Sequence, residues 1–332
     1  MPSPPQGSFD PFDEVQPVAD AIMYEGYVLY PYRKSSAKNR VRFQFGVLFP
    51  PHWAKARGLV DTGVAGSEES WWQQTEIPVE IPSDATGDAT IRLRCRFLHL
   101  RGSTDDASLD EATPHEHDAE FTVADLLGHE RRTSWPIRRD KNDLTAAITA
   151  SMTPCAEASL YILRVRVANV DTTLPASADR DEALRRSLIA CHCLLAVDHG
   201  GFVSLLDPPP DDEPVTKSCR NVHTFPVLAG APGRRDLVLS SPILLYDHPR
   251  IAPESPGDLY DATEIDEILS LRTLTLTDEE KQEARRTDPR AAAIIDRLEA
   301  MSPRTLERLH GTLRERHSAL RDEQSTLREQ NS

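Results

Sequence analysis

The segment IRLRCRFLHL, residues 91–100, constrains the fold more than any other stretch: Ile91, Leu93, Cys95 and Phe97 alternate with Arg92, Arg94 and Arg96. Successive side chains of an extended strand point to opposite faces, so a period of two demands a sheet with one apolar and one wet face. YILRVRVANV, residues 161–170, behaves the same way around Arg164 and Arg166. Antiparallel sheets with one solvated face satisfy both segments most simply. The expected fold class is mainly β: an antiparallel β-sandwich body, one large or two small, with a C-terminal α-helical appendage.

Aromatic and β-branched runs bounded by Pro and Gly predict further strands over 24–31, 41–49, 74–80, 120–123, 187–197, 202–206 and 243–246. RKSSAKNR, residues 33–40, reads as the loop joining the first two. Two acidic segments, 103–120 and 207–214, read as exposed loops. Residues 1–17 hold five prolines among polar and acidic residues, which predicts a disordered leader. The β body is expected over 18–250, and if it forms two subdomains they divide near residue 150.

After Pro249 the period changes from 2 to 3.6, which predicts a helical region over 251–332. Asp261 with Glu264, and Thr277 with Glu280, have the spacing of capping boxes. A further helix starts at Pro289 with Ala291, Ile294, Ile295 and Leu298 on one face, and another at Pro303. Leu306, Leu313, Leu320 and Leu327 recur every seven residues, but Arg316 and Glu323 interrupt the companion position, so the seam of a coiled coil is only half filled. The acids between Glu254 and Glu267 lack the ligand spacing of a Ca²⁺ loop and suit helix N-termini instead.

With 53 Asp and Glu against 38 Lys and Arg, the formal charge of −15 repels phosphate backbones and anionic lipid. Nucleic acid and membrane are therefore not expected as partners. No apolar run reaches the roughly 20 residues of a membrane span, and the first residues show no signal-peptide pattern, so a cytoplasmic location is expected. Five cysteines without a CxxC pair suit a reducing compartment and a packing role.

Four candidates for chemistry stand out. Cys191, His192 and Cys193 offer zinc-type donors, but alternation puts the cysteines on one face and His192 on the other, which favours core packing. His115 and His117 share a face if extended and would need a third ligand to hold a metal. Trp53, Trp71 and Trp72 suit either a groove or the core. The basic loop after the tyrosines is the main candidate interaction patch: Tyr24, Tyr30, Tyr32, Arg33, Lys34, Lys38, Arg40 and Arg42. Arg and aromatic residues together suit an anion or an acidic protein surface. GxSxG, GxxxxGK[ST], HExxH and a helix-opening GxGxxG are all absent from the sequence, so the chain offers no catalytic, cofactor-binding or metal residue to assign.

The runs DAIMYEGYVLYPYRKSSAKNRVRFQFGVLFP, FVSLLDPP, CRNVHTFPVLAG and DLVLSSPILLYDHPRIAPESPGDLYDATEIDEILSLRTLTLTDEEKQEARRTDPRAAAIIDR resemble a family of accessory proteins encoded with actinobacterial-type nickel-iron hydrogenases. The likeness spans 18–297 and implies no catalytic residues. It implies a cytoplasmic protein that assists assembly, maturation or stability of a hydrogenase, with a hydrogenase subunit or maturation factor as partner. Paired cysteine motifs for nickel or an iron-sulfur cluster are absent from the sequence, which favours a scaffold role without cofactors. The alternatives are a metal-dependent hydrolase built on His115, His117 or the Cys191 region, and a small-anion binding module built on the Tyr24–Arg42 hairpin.

Overall fold

The computed structural model describes residues 10–24, 46–59, 70–101, 111–137, 144–156, 159–251 and 278–287, together with 292, 295, 296 and 299. The fold is mainly β, and the described residues form ten strands in two antiparallel sheets. The first sheet has the order β4-β5-β6-β1-β8, from β1 (Trp72–Glu80), β4 (Arg131–Ile137), β5 (Leu144–Pro154), β6 (Leu160–Asn169) and β8 (Gly201–Phe202). The second has the order β3-β2-β7-β10-β9, from β2 (Thr90–Arg101), β3 (Glu111–Thr122), β7 (Ile189–Val197), β9 (Phe225–Leu228) and β10 (Leu237–Ser241).

Both sheets contribute to one apolar cluster. Ile77, Ile148, Leu163 and Val165 from the first sheet join Ile91, Leu93, Cys95, Phe97 and Leu195 from the second. The inward residues of IRLRCRFLHL are thus the expected ones. A division near residue 150 does not occur: Ala150 lies inside β5, paired with Val165, and each sheet combines strands from both halves of the chain. A shared core leaves no place at which few contacts cross.

Residues 10–17, expected within the leader, are packed against the body. Phe12 and Val15 are buried with α1 (Gln16–Tyr24) against Leu194, Ala196 and Leu239, on the outer face of the second sheet. Their apolar side chains outweigh the local proline and acid content. Tyr24 closes α1 and does not begin a strand. The rest of the strand expected over 24–31 lies outside the described residues. Of the strand expected over 41–49, residues 46–49 are described, and among them Leu48 forms isolated bridges to Ser70 and Leu188.

The acidic segment expected to be a loop is β3 from Glu111 onward, and its charges explain why. Paired directly across the strands are Arg92 with Glu120, Arg94 with Asp118, and Arg96 with Glu116. Their ion pairs measure 3.1, 2.7 and 2.7 Å. Opposite charges facing each other across a strand pair stabilise the pairing, so the acids of β3 are the complement of the wet face of β2. Pro114 is tolerated because β3 is an edge strand.

In β7 a bulge shifts the register between Arg96 and Leu98, and Ala190 takes a left-handed φ of 52°. The extra residue transfers Ile189 to a second cluster on the outer face, with Leu98, Leu100, Trp53 of α2 (Pro51–Ala56) and Leu184 of α4 (Arg180–Leu184). Short helices α3 (Val123–Leu126) and α5 (Glu213–Ser218) complete the body. The strand expected over 243–246 joins no sheet: Pro242 lacks the N–H that a continuing ladder needs, and β10 stops at Ser241.

In the C-terminal region, α6 (Asp278–Thr287) is tied to the following helical residues by Arg285, 2.7 Å from Asp296 and 2.6 Å from Glu299. Ile295 is fully buried. Asp261, Glu264, Thr277 and the heptad leucines lie outside the described residues. No helix among the described residues is long and apolar enough to cross a membrane.

Candidate functional site

Of the patch read from the sequence, only Tyr24 falls within the described residues. Tyr30, Tyr32, Arg33, Lys34, Lys38, Arg40 and Arg42 lie outside them. The other candidates are well placed for comparison.

Cys95, Cys191 and Cys193 are buried between the sheets, with the sulfurs of Cys95 and Cys191 3.8 Å apart. Hydrogen bonding within this group and burial push the Cys95 and Cys193 thiols well up, and burial raises Cys191. Such thiols are poor nucleophiles and poor metal ligands. His192 points to the other face, as alternation requires. Its Nδ1–H donates to the carbonyl of Ala190 at 2.8 Å, leaving Nε2 buried without a partner. Burial and the adjacent Arg96 push its pKa down to about 3, so the ring is neutral. Arg96 itself reaches Asp20 of α1 at 2.5 Å and Glu116 at 2.7 Å, clamping the helix to the sheet.

His115 and His117 do share a face of β3, but aromatic rings occupy it. His115 stacks on Phe97 with centroids 5.5 Å apart. His117 lies at 3.8 Å and 8° on Trp135 of β4, so the stack joins edge strands of the two sheets. Burial lowers the His117 pKa. Among the described residues, no group of three or more His, Cys, Asp and Glu is arranged to hold a metal ion.

The tryptophans divide. Trp53 is core: it is 2% exposed, stacks on Phe49 at 4.5 Å, and donates Nε1–H to the Ala178 carbonyl. Trp71 and Trp72 are half-buried, edge to face at 6.2 Å, and each carries a cation. Lys55 Nζ sits 4.8 Å over Trp71, and the Arg166 guanidinium sits 3.6 Å over Trp72. His223 meets the edge of Trp72 at 6.4 Å. This array of two cations and two indoles is the candidate site.

Strand register builds it. On the outer face of the first sheet, Arg132, Thr149, Arg166 and Gln74 form one row, and Ser134, Ala147, Ala168 and Trp72 form the next. The alanines leave room for Arg166 to lean diagonally across to Trp72. Arg164, one position along the same face, is bound at 2.6 Å to the buried Glu76. Arg166 has no such partner: its Nε is shielded from solvent with no hydrogen-bond acceptor, and Lys55 also lacks an ion pair among the described residues. Burial lowers the Arg166 pKa; attraction from Glu130 opposes the shift, and weaker repulsion by Arg164 adds to it. The outward direction of Arg166 is readable from alternation, whereas its meeting with Trp72 depends on register between strands nearly a hundred residues apart.

No protein-family model matches the chain, and no curated protein matches it.

Proposed function

We propose that this chain is a cytoplasmic, non-enzymatic accessory protein that assists assembly, maturation or stability of a nickel-iron hydrogenase through protein contacts. In this reading the two sheets form one sandwich that acts as a scaffold. The observation that carries the contact role is the Lys55, Trp71, Trp72 and Arg166 array, since Trp and Arg are the residues on which interface energy concentrates. The hydrogenase assignment rests on the family resemblance of the runs between residues 18 and 297. Stacking of His115 and His117 on Phe97 and Trp135 favours the scaffold over the metal-dependent hydrolase.

The test is affinity capture of the tagged full chain from a hydrogenase-producing host, together with hydrogenase activity in a deletion strain. Recovery of a hydrogenase subunit or maturation factor and reduced activity are expected. Neither recovery nor any activity change would reject the proposal.

A further inference from the structure

We infer that Arg166, held on Trp72, receives a carboxylate from an acidic segment of a partner protein, with Lys55 on Trp71 as a second anchor. The inference deepens the contact role proposed above and names the chemistry of the partner. Three observations carry it. Within the same pair of sheets, Arg92, Arg94, Arg96 and Arg164 each hold a carboxylate within 3.1 Å. Arg166 and Lys55 hold none among the described residues, although the chain has 15 more acidic than basic groups. In so acidic a protein, cations on adjacent indoles with no ion pair among the described residues form a basic spot complementary to a carboxylate.

The second observation is orientation. A guanidinium stacked 3.6 Å over an indole is fixed in plane, and it then offers its N–H fork at small entropic cost. Carboxylates match that fork in two parallel hydrogen bonds. The third is the electrostatic surroundings. Arg166 is half-buried, its Nε lies out of solvent without an acceptor, and Glu130, which attracts it more than Arg164 repels it, forms no ion pair with it. An incoming carboxylate would supply the hydrogen-bond acceptor and the close ion pair that Arg166 lacks among the described residues.

The test is a titration of the full-length protein with an acetyl-capped hexaglutamate peptide, followed through the Arg166 Nε–H and Trp72 Nε1–H resonances. Parallel titrations use sodium acetate and inorganic phosphate. Saturable shifts with the peptide are expected, with affinity falling about tenfold or more in Arg166→Met, as loss of a charge-assisted pair implies. Lys55→Met, remote from the first sheet's core, should weaken binding by a smaller factor and guards against misfolding of the first variant. Equal response to acetate and peptide would reassign the site to small acids, and a preference for phosphate would overturn carboxylate recognition. Unmoved resonances, or unchanged affinity in Arg166→Met, would overturn the inference altogether. None of these outcomes depends on hydrogenase capture, so the site and the proposed function fail separately.

Discussion

The outer faces of the two sheets solve the same problem differently. On the second sheet Arg92, Arg94 and Arg96 of β2 are each neutralised, and the ends are sealed by α1 on one side and by Trp53, Leu98 and Leu184 on the other. On the first sheet Arg164 is neutralised by Glu76, while Arg166 lies on an indole with no carboxylate paired to it among the described residues. Charges that serve the fold are paired, and the face with unpaired cations is where recognition is expected.

The contrast breaks most visibly at Arg96. Arg96→Ala removes a 3% exposed guanidinium bridging Asp20 and Glu116, whose side chains are 36% and 40% exposed. Loss of a buried pair, moderated by those accessible acids, costs about 2–3 kcal/mol. Denaturant unfolding checks this, and a loss below about 1 kcal/mol would show that the ladder is ornamental to stability.

Acid sharpens the comparison through His192. Its pKa of about 3 lies below the ordinary 6.5, so the unfolded chain takes up a proton that the folded chain refuses. The contribution is therefore intact above pH 6.5 and is lost as pH falls towards about 3, with a slope of about 1.4 kcal/mol per pH unit inside that window. His192→Gln should remove that slope. Comparing wild type with the variant cancels the carboxylates that also titrate in acid, Asp118 among them, held low by Arg94.

Smaller effects follow. Trp135→Leu, which unstacks His117 and loosens the joined edge strands, should lower stability by about 1 kcal/mol. Arg166→Met should change stability by less than about 0.5 kcal/mol, since an exposed-face guanidinium without an ion pair contributes little to folding. Thermal and denaturant unfolding of the two variants side by side would test the ordering.

How much of this was legible in the sequence depends on which strand is considered. Alternation alone identifies the inward residues of β2 and the outward Arg164 and Arg166. The strand β3 was hidden because Glu116, Asp118 and Glu120 look like a loop until Arg92, Arg94 and Arg96 are set opposite them. Short and small residues masked β5, whose LTAAITASMTP owes its place to partners on both sides. The Trp71–Trp72 pair was visible as a candidate, yet Lys55 and Arg166 reach it only through folding. Sites made by register are not written in any one segment.

The central claim is that the face carrying Lys55, Trp71, Trp72 and Arg166 meets the partner while the ladder face does not. Quantitative capture of a hydrogenase subunit or maturation factor by wild type, Arg166→Met and Arg92→Met, each confirmed folded, tests it most directly. Recovery is expected to fall for Arg166→Met and to hold for Arg92→Met, and equal recovery by all three would contradict the claim.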